Sequence, residues 1–194
     1  MRNSGWAMVV LSGWALGCST TGASTPRPQT EEAPPQAAID AGNAAITALQ
    51  VRLFQRLSEE LNKGGPSSAV TVCRDEAQAL TAQVAAEQGL ELGRTSTRLR
   101  NPANAPREWV KPYLAAWAGK KASEVQPVVV DLGERVGVLR PIPTAELCTT
   151  CHGAPERLAP EVKDTIQHAY PEDHAVGFAP GDLRGVFWAE VPKR

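Results

Sequence analysis

Val125-Gln126-Pro127-Val128-Val129-Val130-Asp131-Leu132-Gly133-Glu134-Arg135-Val136-Gly137-Val138-Leu139-Arg140-Pro141 is the stretch that decides the fold class. Two valine-rich runs, 125–132 and 136–141, flank Gly133-Glu134-Arg135. β-Branched residues favour strands and a short break containing glycine lets the chain reverse, so the stretch predicts a β-hairpin. A third strand is expected over 183–191, stopped by Pro192. The sequence before the hairpin has a different period. Ile46, Leu49, Leu53, Leu57 and Leu61 recur at spacings of three and four, which predicts a helix over 38–62 that Lys63-Gly64-Gly65-Pro66 ends. Ser67 or Ser68 can cap a second helix whose inward face carries Val70, Cys73, Ala77, Leu80 and Val84, with Gly89 closing it. Residues 94–106 read as an ordered loop bearing Arg94, Arg98 and Arg100. Pro106 opens a third helix with Trp109, Tyr113, Leu114 and Trp117, ended by Gly119. Short helical stretches are expected over 144–152 and 156–169. The fold class is therefore α+β: helices first, then a small antiparallel sheet interrupted by helix.

The 194 residues, 42% hydrophobic and 21% charged, suit a single globular domain. A formal charge of −1 leaves no electrostatic footprint for a nucleic-acid backbone, so nucleic acid is not an expected partner. No uncharged apolar run reaches the roughly 18 to 20 residues that span a bilayer.

The start of the chain has the layout of an export signal: one cation, Arg2, then an uncharged stretch from Gly5 to Gly17. Ala15-Leu16-Gly17-Cys18 resembles a bacterial lipobox, which predicts removal of residues 1–17 and acylation of Cys18. Residues 18–36, rich in Ser, Thr and Pro, read as a flexible tether, and 37–194 as the folded domain. The expected location is the periplasmic side of the cell envelope, with the membrane reached through the N-terminal lipid.

Cys148-Thr149-Thr150-Cys151-His152 carries the chemistry. The C-x-x-C-H spacing is that of c-type haem attachment, in which two thiols add to the vinyl groups and the adjacent imidazole reaches the iron. A dithiol redox pair and half of a zinc site also use C-x-x-C, but the redox pair does not need the trailing His152, and zinc requires two further ligands. The expected cofactor is one covalent haem c. Both methionines, Met1 and Met8, lie in the export segment, so a His/Met axial pair is excluded from the mature chain. His168, His174 and Cys73 remain as candidates opposite His152. Cys73 lies on an apolar helix face, where a lone thiol serves equally well as core filler or as ligand. Arg94, Arg98 and Arg100 are natural partners for haem carboxylates, because a guanidinium grips a carboxylate through two parallel hydrogen bonds.

Several of these stretches coincide with one family. Ala69-Val70-Thr71-Val72-Cys73, the loop from Arg94 to Asn104, Cys148 to Gly153, and Pro171 to Phe178 with Gly181-Asp182-Leu183-Arg184-Gly185 together resemble the Tll-like c-type haem domain, over about residues 40 to 191. The resemblance implies a PAS-like sheet flanked by helices, holding one covalent haem c between an unusual Cys/His pair. Mapped by motif, those ligands are Cys73 and His152. It also implies redox or gas sensing, since related domains occur at the sensory end of signalling proteins.

The function expected from these readings is that of an exported monohaem cytochrome that transfers single electrons, or senses redox poise, with a redox partner protein the residues do not identify. The alternative is a gas sensor in which Cys73 is displaced. A peroxidase-like enzyme would need an open distal site with an acid/base group, for which His168 and His174 are the candidates.

Overall fold

A computed structural model describes residues 33–193. The expected export segment, Cys18 and most of the expected tether lie outside the described residues. Helix α1 (Gln36–Asp75) begins one residue before the expected start of the domain. It carries the expected break as a kink: Gly65 has φ 73° and ψ −172°, a conformation open to glycine, and Pro66 follows it. The chain resumes as helix directly at Pro66. The expected serine cap does not form, and the Ser68 hydroxyl bonds Glu60 instead. The second helix is also interrupted, at Glu76, before α2 (Ala77–Gln88), which ends at Gly89 as expected.

The sheet has four antiparallel strands: β1 (Glu91–Thr95), β2 (Val128–Asp131), β3 (Arg135–Pro143) and β4 (Leu183–Pro192), in the spatial order β1-β4-β3-β2. The predicted hairpin forms, with Val129 paired to Val138. Strand β1 is a correction to the sequence reading, which assigned Arg94 and Thr95 to a loop. The expected third helix shortens to a 3-10 turn, Glu108–Val110, and α3 (Lys111–Ala116). The last two helical stretches are observed as a 3-10 turn, Glu146–Cys148, running into α4 (Thr149–His152), and as α5 (Pro160–Ala169).

The sheet is buried on both faces. Ile46 and Leu49 of α1 and Val84 of α2 pack against Val136, Val138, Ala189 and Val191. Leu139, Val186 and Trp188 face the other way, onto Val110 and Leu114. Covering both faces explains why Val138 and Leu139, consecutive in β3, are both fully buried. Along α1 the buried part of the stripe stops at Leu49; Leu53, Leu57 and Leu61 are half-buried. Beyond the kink the helix finds a different partner: Val70 joins Leu158, Val162, Ile166 and Tyr170 of the α5 region. This second cluster places the end of α1 beside α4, and the functional residues lie between them. Among the described residues no helix is long and apolar enough to cross a membrane.

Candidate functional site

A cleft of about 540 Å³, measured out to its open mouth, lies between the end of α1, the start of β4, β1 and its following loop, and α4. Cys73, in the last turn of α1, lines it, and so does His152, the last residue of α4. Helix periodicity turned Cys73 inward, and the kink at Gly65 is what aims that inward face at α4 and α5 rather than at the sheet.

His152 is held by backbone on two sides. Its Nδ1 lies 2.7 Å from the Ala175 carbonyl oxygen, which can only accept, so Nδ1 carries the proton and Nε2 keeps its lone pair. The carbonyl of His152 accepts from the Phe178 N–H at 2.9 Å, and that of Gly153 from the Gly177 N–H at 2.8 Å. The ring of Phe178 meets the imidazole edge-on, with centroids 6.5 Å apart. Burial, together with the charges of Arg184, Arg100 and Arg94, pushes His152 well below its ordinary value, so the imidazole is neutral at pH 7. A neutral ring with one nitrogen tethered and the other free is the form that ligates metals.

Cys148 ends the 3-10 turn before α4 and Cys151 precedes His152 within α4, but neither is among the residues that line the cleft. Cys151 packs against the α5 cluster, and burial raises its thiol while Arg100 acts against that rise. Cys73, Cys148 and Cys151 are all free thiols. Among the described residues no three His, Cys, Asp or Glu side chains form a metal-holding group.

The three arginines singled out in the sequence line the cleft but are engaged differently. Arg100 is paired with Asp173, its Nε to Oδ1 at 3.1 Å and its Nη2 to Oδ2 at 3.0 Å, and also donates to the Cys151 carbonyl at 2.6 Å. Arg98 donates to the Val176 carbonyl at 2.8 Å and stacks on Phe178, 3.5 Å from the ring centroid. Only Arg94 of the three has no carboxylate or hydrogen-bond partner among the described residues. It is joined by Arg184, at the start of β4, which is equally unpaired and which sequence reading did not single out. Burial and the neighbouring Arg94 lower the Arg184 guanidinium to about 10. Two cations that have lost water without gaining an anion mark a place where negative charge is missing. Tyr170 also lines the cleft; burial and then Cys73 push its phenol up to about 12, so it stays protonated. The Thr95 hydroxyl, buried in the wall, has no hydrogen-bond partner among the described residues.

His168 and His174 are exposed and do not line the cleft; His168 Nδ1 caps back onto the Asp164 carbonyl. The geometry therefore gathers Cys73, His152 and the arginines and leaves both spare histidines out.

The sequence pattern of the Tll0287-like family matches residues 29–192. The chain belongs to that family. A solved structure, that of the cyanobacterial heme-protein Tll0287, superposes on this Tll0287-like chain with a TM-score of 0.51 at 25% identity, covering 74% of this chain and 92% of the other. No curated protein matches the chain. The shared fold is the long N-terminal helix set against a small four-stranded antiparallel sheet, the α+β class read from the hairpin.

Proposed function

We propose that this protein is a c-type cytochrome that binds one haem covalently and works by single-electron transfer or redox sensing at the cell envelope. The observation that carries the reading is that Cys73 and His152 line one cleft, with His152 Nδ1 bonded to Ala175 so that Nε2 is available. Membership of the Tll0287-like family, together with the likeness to the solved heme-protein Tll0287, supports it.

The residues fit such a group. Cys148 and Cys151 would supply thiols for the two vinyl groups, His152 would supply Nε2 and Cys73 would supply sulfur. Arg94 and Arg184, the two guanidinium groups of the cleft with no partner among the described residues, match the two carboxylates that haem carries. When bound, haem supplies a one-electron Fe(III)/Fe(II) couple. The protein's part is to hold its ligands still. The Ala175 carbonyl fixes the tautomer and plane of His152, and Cys73 would offer a sulfur donor, a kind that favours the ferric state. Cys73 and His152 would both be taken up in holding the group, which separates this reading from a peroxidase. An export signal ending at Gly17 and a lipid on Cys18, both outside the described residues, would deliver the domain to the periplasmic side and hold it to a membrane.

The test is the absorption spectrum of the full chain made in a host with a cytochrome maturation system. The expected result is a low-spin ferric spectrum with a thiolate charge-transfer band, pigment that survives acidified acetone, and loss of the band in Cys73→Ala and Cys73→Ser. Colourless protein, or a band unchanged in both variants, overturns the assignment.

A further inference from the structure

The Ala175 carbonyl that accepts from His152 has a second donor. Arg100 Nη2 lies 3.3 Å from the same oxygen, and that guanidinium is locked by Asp173. Asp173 Oδ1 in turn accepts from the Ala175 N–H at 2.8 Å. One ion pair therefore grips residue 175 at both its N–H and its C=O, and the C=O is the anchor of the imidazole. The pair is enclosed, with side chains 10% and 9% exposed, so its field is little screened by water. The sequence reading gave Arg100 the task of holding a haem carboxylate; its fork is already filled by Asp173.

We propose that Arg100 and Asp173 set how strongly Ala175 accepts from His152 Nδ1, and thereby tune the donor strength of His152 and the reduction potential of the centre. The inference rests on His152 being the axial ligand. An axial histidine that gives more of its Nδ1 proton to an acceptor becomes more imidazolate-like and stabilises the ferric state. A carbonyl shared with a guanidinium has less electron density to offer, so Arg100 holds His152 toward neutral imidazole. The positive charge of Arg100 acts in the same direction, favouring the reduced centre, and the negative charge of Asp173 opposes it. Arg100 and Asp173 are positioning residues with effects of opposite sign, which a purely structural role would not give.

The experiment is redox titration of the haem-loaded full chain, with proton NMR of the His152 Nδ1–H. Arg100→Met is expected to shift the midpoint potential downward and Asp173→Asn upward, each with an unchanged low-spin visible spectrum. Arg100→Lys, which keeps the charge without the fork, is expected to fall between Arg100→Met and wild type. The Nδ1–H resonance should move in opposite directions in Arg100→Met and Asp173→Asn. If Arg100→Met does not fold, the same contrast is read between Asp173→Asn, upward, and Arg100→Lys, downward. Shifts of the same sign, or no shift, with intact spectra overturn the proposal while leaving the ligand assignment standing. A wild-type chain without bound haem, or a His152→Ala variant with an unaltered spectrum, overturns the parent reading and this one with it.

Discussion

Gly185 in β4 lies against the backbone of Thr95 in β1 with no room for a side chain: a Cβ there would fall on the Thr95 carbonyl oxygen, which cannot swing aside as a flexible side chain would. Both residues line the cleft, so this close approach brings the β1 wall, with Arg94, up to the β4 wall, with Arg184. Gly185→Ala must push the strands apart where they form the cleft. Overpacking of this kind costs about 1–3 kcal/mol, and the expected outcome is a lower urea midpoint by circular dichroism together with a disturbed visible spectrum of the loaded protein.

Leu139 is fully buried and reaches Val110, Leu114, Val186 and Trp188, on the face of the sheet opposite α1. Leu139→Ala removes that contact and leaves a cavity, so a loss of about 2–5 kcal/mol is expected from chemical denaturation. Phe54, 58% exposed on α1, has no such packing. Phe54→Ala should leave stability within about 0.5 kcal/mol of wild type, as for exposed positions generally.

The same contrast between local and distant determinants explains which parts could be read in advance. The hairpin was legible because its signal is local: valine runs on either side of Gly133, paired in the structure as Val129 with Val138. The break at Gly65 was legible for the same reason, while the helix resuming at Pro66 was not, since what stabilises it is burial of Val70 against α5, far along the chain. Strand β1 carries Gly93 and Arg94 and has little strand propensity. It forms because Gly93 lies under the Trp188 ring, where a Cβ would stand 2.5 Å from the indole. In the site, Cys148, Cys151 and His152 are marked by spacing and Cys73 by its helix face. Arg184 and Tyr170 carry no such mark. Only the pairing of β4 with β1 and the packing of α5 on α1 bring them to the cleft.

Asp182 organises the turn into β4. Its carboxylate accepts from Lys121 Nζ at 2.6 Å and from the Ala179 N–H at 2.7 Å, and those two donors hold it below its ordinary value. A carboxyl depressed in the folded state contributes stability that is complete above its unfolded value, about 3.9. That contribution disappears as pH falls through the lower folded value. Asp182→Asn should therefore be less stable than wild type at pH 6, and the gap should close on acidification below pH ~4. A gap that is constant in urea titrations from pH 6 down to pH 2.5 contradicts the ionic origin.

Arg184 offers a prediction whose sign depends on loading. In the haem-free chain its guanidinium is stripped of water beside Arg94 with no anion to pair with, so the two cations destabilise each other. Arg184→Gln should raise the melting temperature of protein made without haem. With a haem carboxylate against it, the same guanidinium gains a charge-assisted hydrogen bond of about 1.5–3 kcal/mol, and Arg184→Gln should then lower the melting temperature. Arg98, already satisfied by the Val176 carbonyl and the Phe178 ring, should show no such reversal when replaced by Gln. Melting curves of both variants, with and without haem, decide the matter: a change of the same sign in both forms of Arg184→Gln would mean that this arginine does not meet a carboxylate.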